Sequence, residues 1–99
     1  MKKILLVCAS GMSTSILMKK MNEAIEKKGY DFVVEAHAVA QVKEKGVDAD
    51  VILLAPQISF QLKNVKEMMN CPVELVNMSD YGMMNGDGII EHVKGVVGE

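Results

Sequence analysis

Two short apolar runs with no polar interruption, Ile4–Val7 leading into Cys8 and Val51–Ala55, constrain the fold more than any other feature of the chain. A strand with one wet face alternates apolar and polar residues, whereas a strand covered on both faces is apolar throughout. These runs therefore read as central strands of a sheet with helices on both sides. Each is followed by an amphipathic stretch. Residues 14–28 place Leu17, Met21, Ala24, Ile25 and Lys28 on one helical stripe and stop at Gly29; residues 57–70 do the same with Ile58, Leu62, Val65, Met68 and Met69. Phe32–Val39 carries Glu35 and His37, and Val73–Asn77 carries Glu74, which marks both as edge strands. A helical turn over Ala40–Lys45 ends at Gly46. A loop covers Met78–Asn85, and a last helix runs from Gly86 to Val97 with Ile89, Ile90, Val93 and Val97 inward and Asn85 or Asp87 as its cap.

Strand–helix repetition four times over predicts a four-stranded parallel sheet joined by right-handed crossovers, with helices on both faces. Apolar strands in the centre and polar-bearing strands at the edges give the order 2-1-3-4, a flavodoxin-like or low-molecular-weight phosphatase-like α/β arrangement. The chain has 99 residues, enough for one core, so residues 1–99 are read as a single domain. A net charge of -2 with no basic block argues against nucleic-acid binding. The apolar runs are far too short to span a bilayer, and Lys2-Lys3-Ile4–Val7 lacks the length and cleavage pattern of a signal peptide, so a cytosolic protein is expected.

Ligands of such sheets bind outside the carboxyl ends of the strands, where the strand order reverses. Cys8 falls at that position. The loop behind it, Ala9-Ser10-Gly11-Met12-Ser13-Thr14-Ser15, supplies four hydroxyls and a glycine before a helix begins. Loop amides and a helix N-terminus make a seat for an anion, and they favour the thiolate, the reactive form of a cysteine. The loops at Pro56-Gln57 and Asp80-Tyr81-Gly82 reach the same edge. All eleven basic residues are Lys, so the anion is held mainly by backbone and hydroxyl donors.

Three chemistries fit a cysteine so placed. A tyrosine-phosphatase loop, Cys-x5-Arg-Ser/Thr, needs a bidentate guanidinium on the phosphoryl oxygens. Here Thr14 stands at the Arg position, which weighs against hydrolysis even with Asp80 available as an acid. A phosphoryl carrier needs the seat without the hydrolytic machinery. A thiol-based partner-binding module needs only an accessible thiol. Cys71 precedes Pro72 at the start of a strand, on the opposite sheet edge from Cys8, so no disulfide is expected. His37, His92 and the two cysteines match no metal-ligand spacing, both histidines read as solvated surface residues, and no cofactor is called for.

The segments LLVCASGMSTSILMKKM, DADVILLAPQISFQL and DYGMMNGDG resemble the enzyme IIB domains of the lactose/cellobiose class of the bacterial sugar phosphotransferase system, over essentially the whole chain. That resemblance implies that Cys8 accepts a phosphoryl group from a phosphohistidine of enzyme IIA. It implies that Ala9 to Ser15 form the phosphate-binding loop, and that the acceptor is a sugar, usually a β-linked disaccharide, bound in membrane enzyme IIC. Pro56, Gln57, Tyr81, Gly82 and Met83 are then expected to border the site, with Met12, Tyr81 and Met83 part of a docking face. Work at the inner face of the membrane would come only through enzyme IIC.

Overall fold

A computed structural model of the protein describes residues 2–8 and 15–98. Four parallel strands, β1 (Lys2–Cys8), β2 (Phe32–Ala38), β3 (Val51–Leu54) and β4 (Val73–Leu75), form one sheet in the order β2-β1-β3-β4. This is the order expected from placing the apolar runs centrally. Ile4 to Val7 and Val51 to Leu54 are sealed from solvent, while Glu35, His37 and Glu74 keep partial contact with it.

The strands are joined by α1 (Ser15–Lys28), α2 (Val42–Lys45), α3 (Leu62–Met68), α4 (Met78–Gly82) and α5 (Gly86–Val97). α1 buries Leu17, Met21, Ala24 and Ile25, a single stripe, and packs on α5 and β2. It ends at Gly29, whose φ of 72° is the left-handed turn that only glycine adopts without strain. In α5 the inward residues are Ile89, Ile90 and Val93, with Val97 half-buried against the core. The two faces are distinguishable by register. Glu74 reaches His92 of α5, so the β4 side chains in step with Leu6 and Leu53 face α1 and α5. Lys3 Nζ reaches the Lys45 carbonyl at 3.3 Å, so the alternate set faces α2.

Lys3 ties the amino edge together. Its main-chain amide donates to Asp50 Oδ2 at 2.7 Å, and its ammonium meets Asp48 at 2.6 Å and Glu35 at 3.6 Å. The hydrogen bond to Asp48 holds the ammonium above, and the carboxyl below, their ordinary values. Tyr30, Lys28 and Glu91 make the corresponding clamp between α1 and α5, with Tyr30 Oη donating to Glu91 at 2.8 Å and Lys28 at 3.1 Å from the same carboxylate.

The structure corrects several local expectations. The stretch 57–70 is not one helix. Pro56–Gln61 forms 3-10 turns, and Ile58 leaves helical geometry (φ -117°, ψ 29°) to put its side chain in the core, so α3 starts only at Leu62. Met68, expected inward, is exposed because α3 ends there and Met69 turns in instead. Residues 78–85 are not a plain loop, since α4 occupies most of them. β4 ends at Leu75 rather than Asn77, because Asn77 caps α4. His37 is half-buried rather than fully solvated, 3.2 Å from Glu35 on the wet face of β2, whereas His92 is exposed as expected.

Candidate active site

Cys8 owes its position to β1. Four consecutive buried apolar residues pin that strand between two others, and the thiol follows as the last strand residue, 2% exposed. On one side Cys8 pairs in register with Ala38; on the other the Ala55 amide donates to the Val7 carbonyl at 2.9 Å. Ala55 stays extended (ψ 148°) and hands the chain to Pro56, which opens the 3-10 turns with the fixed φ that a helix start requires. The Val76 amide reaches the Leu54 carbonyl at 2.9 Å, so the carboxyl ends of β1, β3 and β4 lie level and Asn77 begins α4 beside them.

Of the residues expected at this edge, Ala9, Ser10, Gly11, Met12, Ser13 and Thr14 lie outside the described residues. Ser15 is exposed as the first residue of α1. Pro56 is half-buried and Gln57 exposed, both in the turns after β3. Tyr81, Gly82 and Met83 follow β4 on or just after α4. Tyr81 is 8% exposed and Met83 75% exposed; Met83 shares a surface cleft with Lys20, Glu23 and Lys27 of α1.

Three further apolar side chains stand exposed on the elements that follow β1, β3 and β4. Ile16 in the first turn of α1, Phe60 in the 3-10 turns and Met78 at the start of α4 are all large, apolar and exposed, Phe60 at 74% and Met78 at 76%. A signal was present for Phe60: it falls off the stripe set by Ile58, Leu62 and Val65. Met78 carries no such signal, because its exposure follows from Asn77 capping α4. The turns after β3, the end of β4 and the start of α4 enclose a cavity of about 540 Å³, lined by Pro56, Ser59, Leu75, Asn77, Met78 and His92 among others. Cys8 is not among its lining residues.

Cys71 sits just before β4, at the amino edge, and is not bonded to Cys8. Burial pushes its thiol above the ordinary value, which disfavours the nucleophilic form. Among the described residues no group of three or more His, Cys, Asp or Glu could hold a metal ion, and no helix is long and apolar enough to cross a membrane.

The family described as "PTS system, Lactose/Cellobiose specific IIB subunit" matches residues 3–92. The chain belongs to this family. It is 42% identical over 89 residues to the PTS system oligo-beta-mannoside-specific EIIB component of Bacillus subtilis (strain 168), covering 87% of this chain and 86% of that protein. It is 37% identical over 97 residues to the PTS system galactose-specific EIIB component of Lactococcus lactis subsp. cremoris (strain MG1363), with 90% of each chain covered. The solution structure of a cellobiose-specific phosphotransferase IIB component from Borrelia burgdorferi superposes with a TM-score of 0.82 at 35% identity, over 98% of this chain and 92% of that one. A lactose-specific IIB domain from Streptococcus pneumoniae shares the fold, with a TM-score of 0.81 at 18% identity over 96% of each chain. As an EIIB-family chain, the protein is a component of the phosphotransferase system.

Proposed function

We propose that residues 1–99 act as one IIB domain that carries a phosphoryl group on Cys8 between enzyme IIA and a sugar held by membrane enzyme IIC. One observation carries the reading: a buried thiol ends a central strand, at the carboxyl edge of the sheet. In the first step the Cys8 thiolate attacks the phosphorus of the donor phosphohistidine. The S–P bond forms as the N–P bond breaks, and that electron pair returns to the imidazole. In the second, a sugar hydroxyl oxygen attacks the phosphocysteine. The O–P bond forms, the S–P pair returns to sulfur as thiolate, and the hydroxyl proton passes to a base on the acceptor side.

The loop Ala9 to Ser15 has the amides and hydroxyls to hold the phosphoryl oxygens without a guanidinium. The lack of any Arg supports a carrier over a phosphatase, because hydrolysis needs that charge on the transition state. Relatives specific for cellobiose, galactose and oligo-beta-mannoside favour a sugar of that kind, such as a β-linked disaccharide, as the acceptor. Work in the cytoplasm, with transient visits to the inner membrane face through enzyme IIC, follows from that cycle.

Mixing the protein with phosphorylated enzyme IIA and measuring intact mass tests it. Wild type should gain one phosphoryl group and keep it in buffer, whereas Cys8→Ser should gain none, since a serine hydroxyl lacks both the acidity and the leaving ability of a thiol. Brisk aryl-phosphate hydrolysis lost in Cys8→Ser would replace the carrier with a phosphatase. No gain in wild type would leave a thiol-based binding module.

A further inference from the structure

α4 is five residues long, too short to persist in water on its own, because nucleating a helix costs more than one turn returns. A chain of side-chain hydrogen bonds holds it. At its amino end Asn77 Oδ1 accepts from the amides of Ser79 at 2.8 Å and Asp80 at 3.3 Å. Beyond its other end, half-buried Asn85 acts in two directions. Its Nδ2 donates to Asp80 Oδ1 at 3.0 Å, and its Oδ1 accepts from the Gly88 amide at 3.1 Å. The Asn85 main-chain amide adds a bond to the Asp80 carbonyl at 2.8 Å.

Capping α5 does not by itself account for this asparagine. Asp would accept from Gly88 as well but has no donor for Asp80, and Ser or Thr has only one atom for both bonds; the side-chain amide places an acceptor and a donor on separate atoms. Two neighbours are shaped around it. A Cβ at Gly88 would come within 2.5 Å of Asn85 Nδ2 and 3.3 Å of Asp80 Oδ1. Met84, between α4 and α5, has φ 53°, a left-handed conformation that a residue with a side chain keeps only when its surroundings hold it there.

We infer that Asn85 is a positioning residue of the transfer site: by bridging the Asp80 carboxylate to the Gly88 amide it locks α4, and so holds Tyr81, Gly82 and Met83 in one arrangement after β4, at the carboxyl end of the sheet where Cys8 ends β1. This rests on the carrier reading above. The bridge acts on docking of the donor protein rather than on the bonds made and broken, so its loss raises KM and spares kcat.

The test is a swap. Asn85→Asp keeps the acceptor for Gly88 but sets one carboxylate against another where a donor stood. It should raise KM for phosphorylated enzyme IIA about tenfold, the effect of one coupled contact, with kcat little changed. Asp80→Asn placed on top of Asn85→Asp restores a donor facing an acceptor and should bring KM most of the way back. Hydrogen exchange of the Tyr81 and Met83 amides reads the lock without any phosphorylation. It should speed up in Asn85→Asp and slow again in the double variant. Unchanged exchange and KM in Asn85→Asp, or a double variant no better than the single one, would overturn the inference while leaving the carrier intact. Wild type that takes no phosphoryl group would overturn the carrier and the role of Asn85 in transfer together, whatever the exchange shows.

Discussion

Gly86 rests on the backbone of Lys20. A Cβ at Gly86 would overlap the Lys20 carbonyl and come within 2.8 Å of the Met21 amide nitrogen, so the amino end of α5 sits directly on α1. Gly86→Ala must push two helices apart and should cost about 1–3 kcal/mol, the usual penalty for overpacking. Gly95, in the same helix with open space around it, is the control. Gly95→Ala should stabilise by about 0.5–1 kcal/mol through helix propensity alone. Urea denaturation of the two variants reads both signs.

Glu91 makes the α1–α5 clamp sensitive to acid. The hydrogen bond from Tyr30, then that from Lys28, holds its carboxyl below the ordinary carboxylate value. A carboxyl lowered by folding stabilises the protein above its unfolded value, roughly 4.3, and that contribution disappears as pH falls through the folded value. Lys28 behaves oppositely, being raised chiefly by the Glu91 hydrogen bond, so its share is lost at the alkaline end, beyond about 10.4. Melting temperatures of wild type and Glu91→Gln should therefore differ at pH 7 and converge on acidification below about pH 4.

Cys71 should be a bystander. Its thiol is raised by burial and lies on the edge opposite the site. Cys71→Ser should leave phosphoryl uptake from enzyme IIA unchanged. Peptide mapping after brief iodoacetamide treatment at neutral pH should find little label on Cys71 in wild type.

The exposed apolar side chains should matter to partners and not to folding. Met83, Phe60 and Met78 contribute little to the core as they stand, yet each offers a large apolar side chain to a partner, on elements that follow β3 and β4. Burying one against a partner is worth about 1.5 kcal/mol, so Met83→Gln or Phe60→Gln should raise KM for phosphorylated enzyme IIA by about tenfold. Circular-dichroism melting should show Tm within a degree or two of wild type, since both side chains are exposed and outside the core, and Met83 caps α4 through its main-chain amide, which the substitution keeps.

The sequence by itself determined the sheet and the place of Cys8. An apolar run of four residues cannot face water, so β1 and β3 had to be central; Glu35, His37 and Glu74 could not be fully buried without partners, so β2 and β4 had to be edges. Cysteine at the end of β1 then falls at the carboxyl edge whatever else the chain does. Only the tertiary structure decided what surrounds it. Ile58 leaves the helical path because the core has room for its side chain there, which delays α3 and turns Phe60 outward. α4 exists because Asn77, Asp80 and Asn85 meet across a gap in sequence, and such meetings leave no period in the chain. Gly86 and Gly88, read in order, are only small residues in the first turn of the last helix. In space each marks a close approach, one to the Lys20 carbonyl and the other to the Asn85 side chain. Local patterns report which face of an element is buried; side-chain bridges and close contacts depend on which elements become neighbours, and that is settled only when the chain packs.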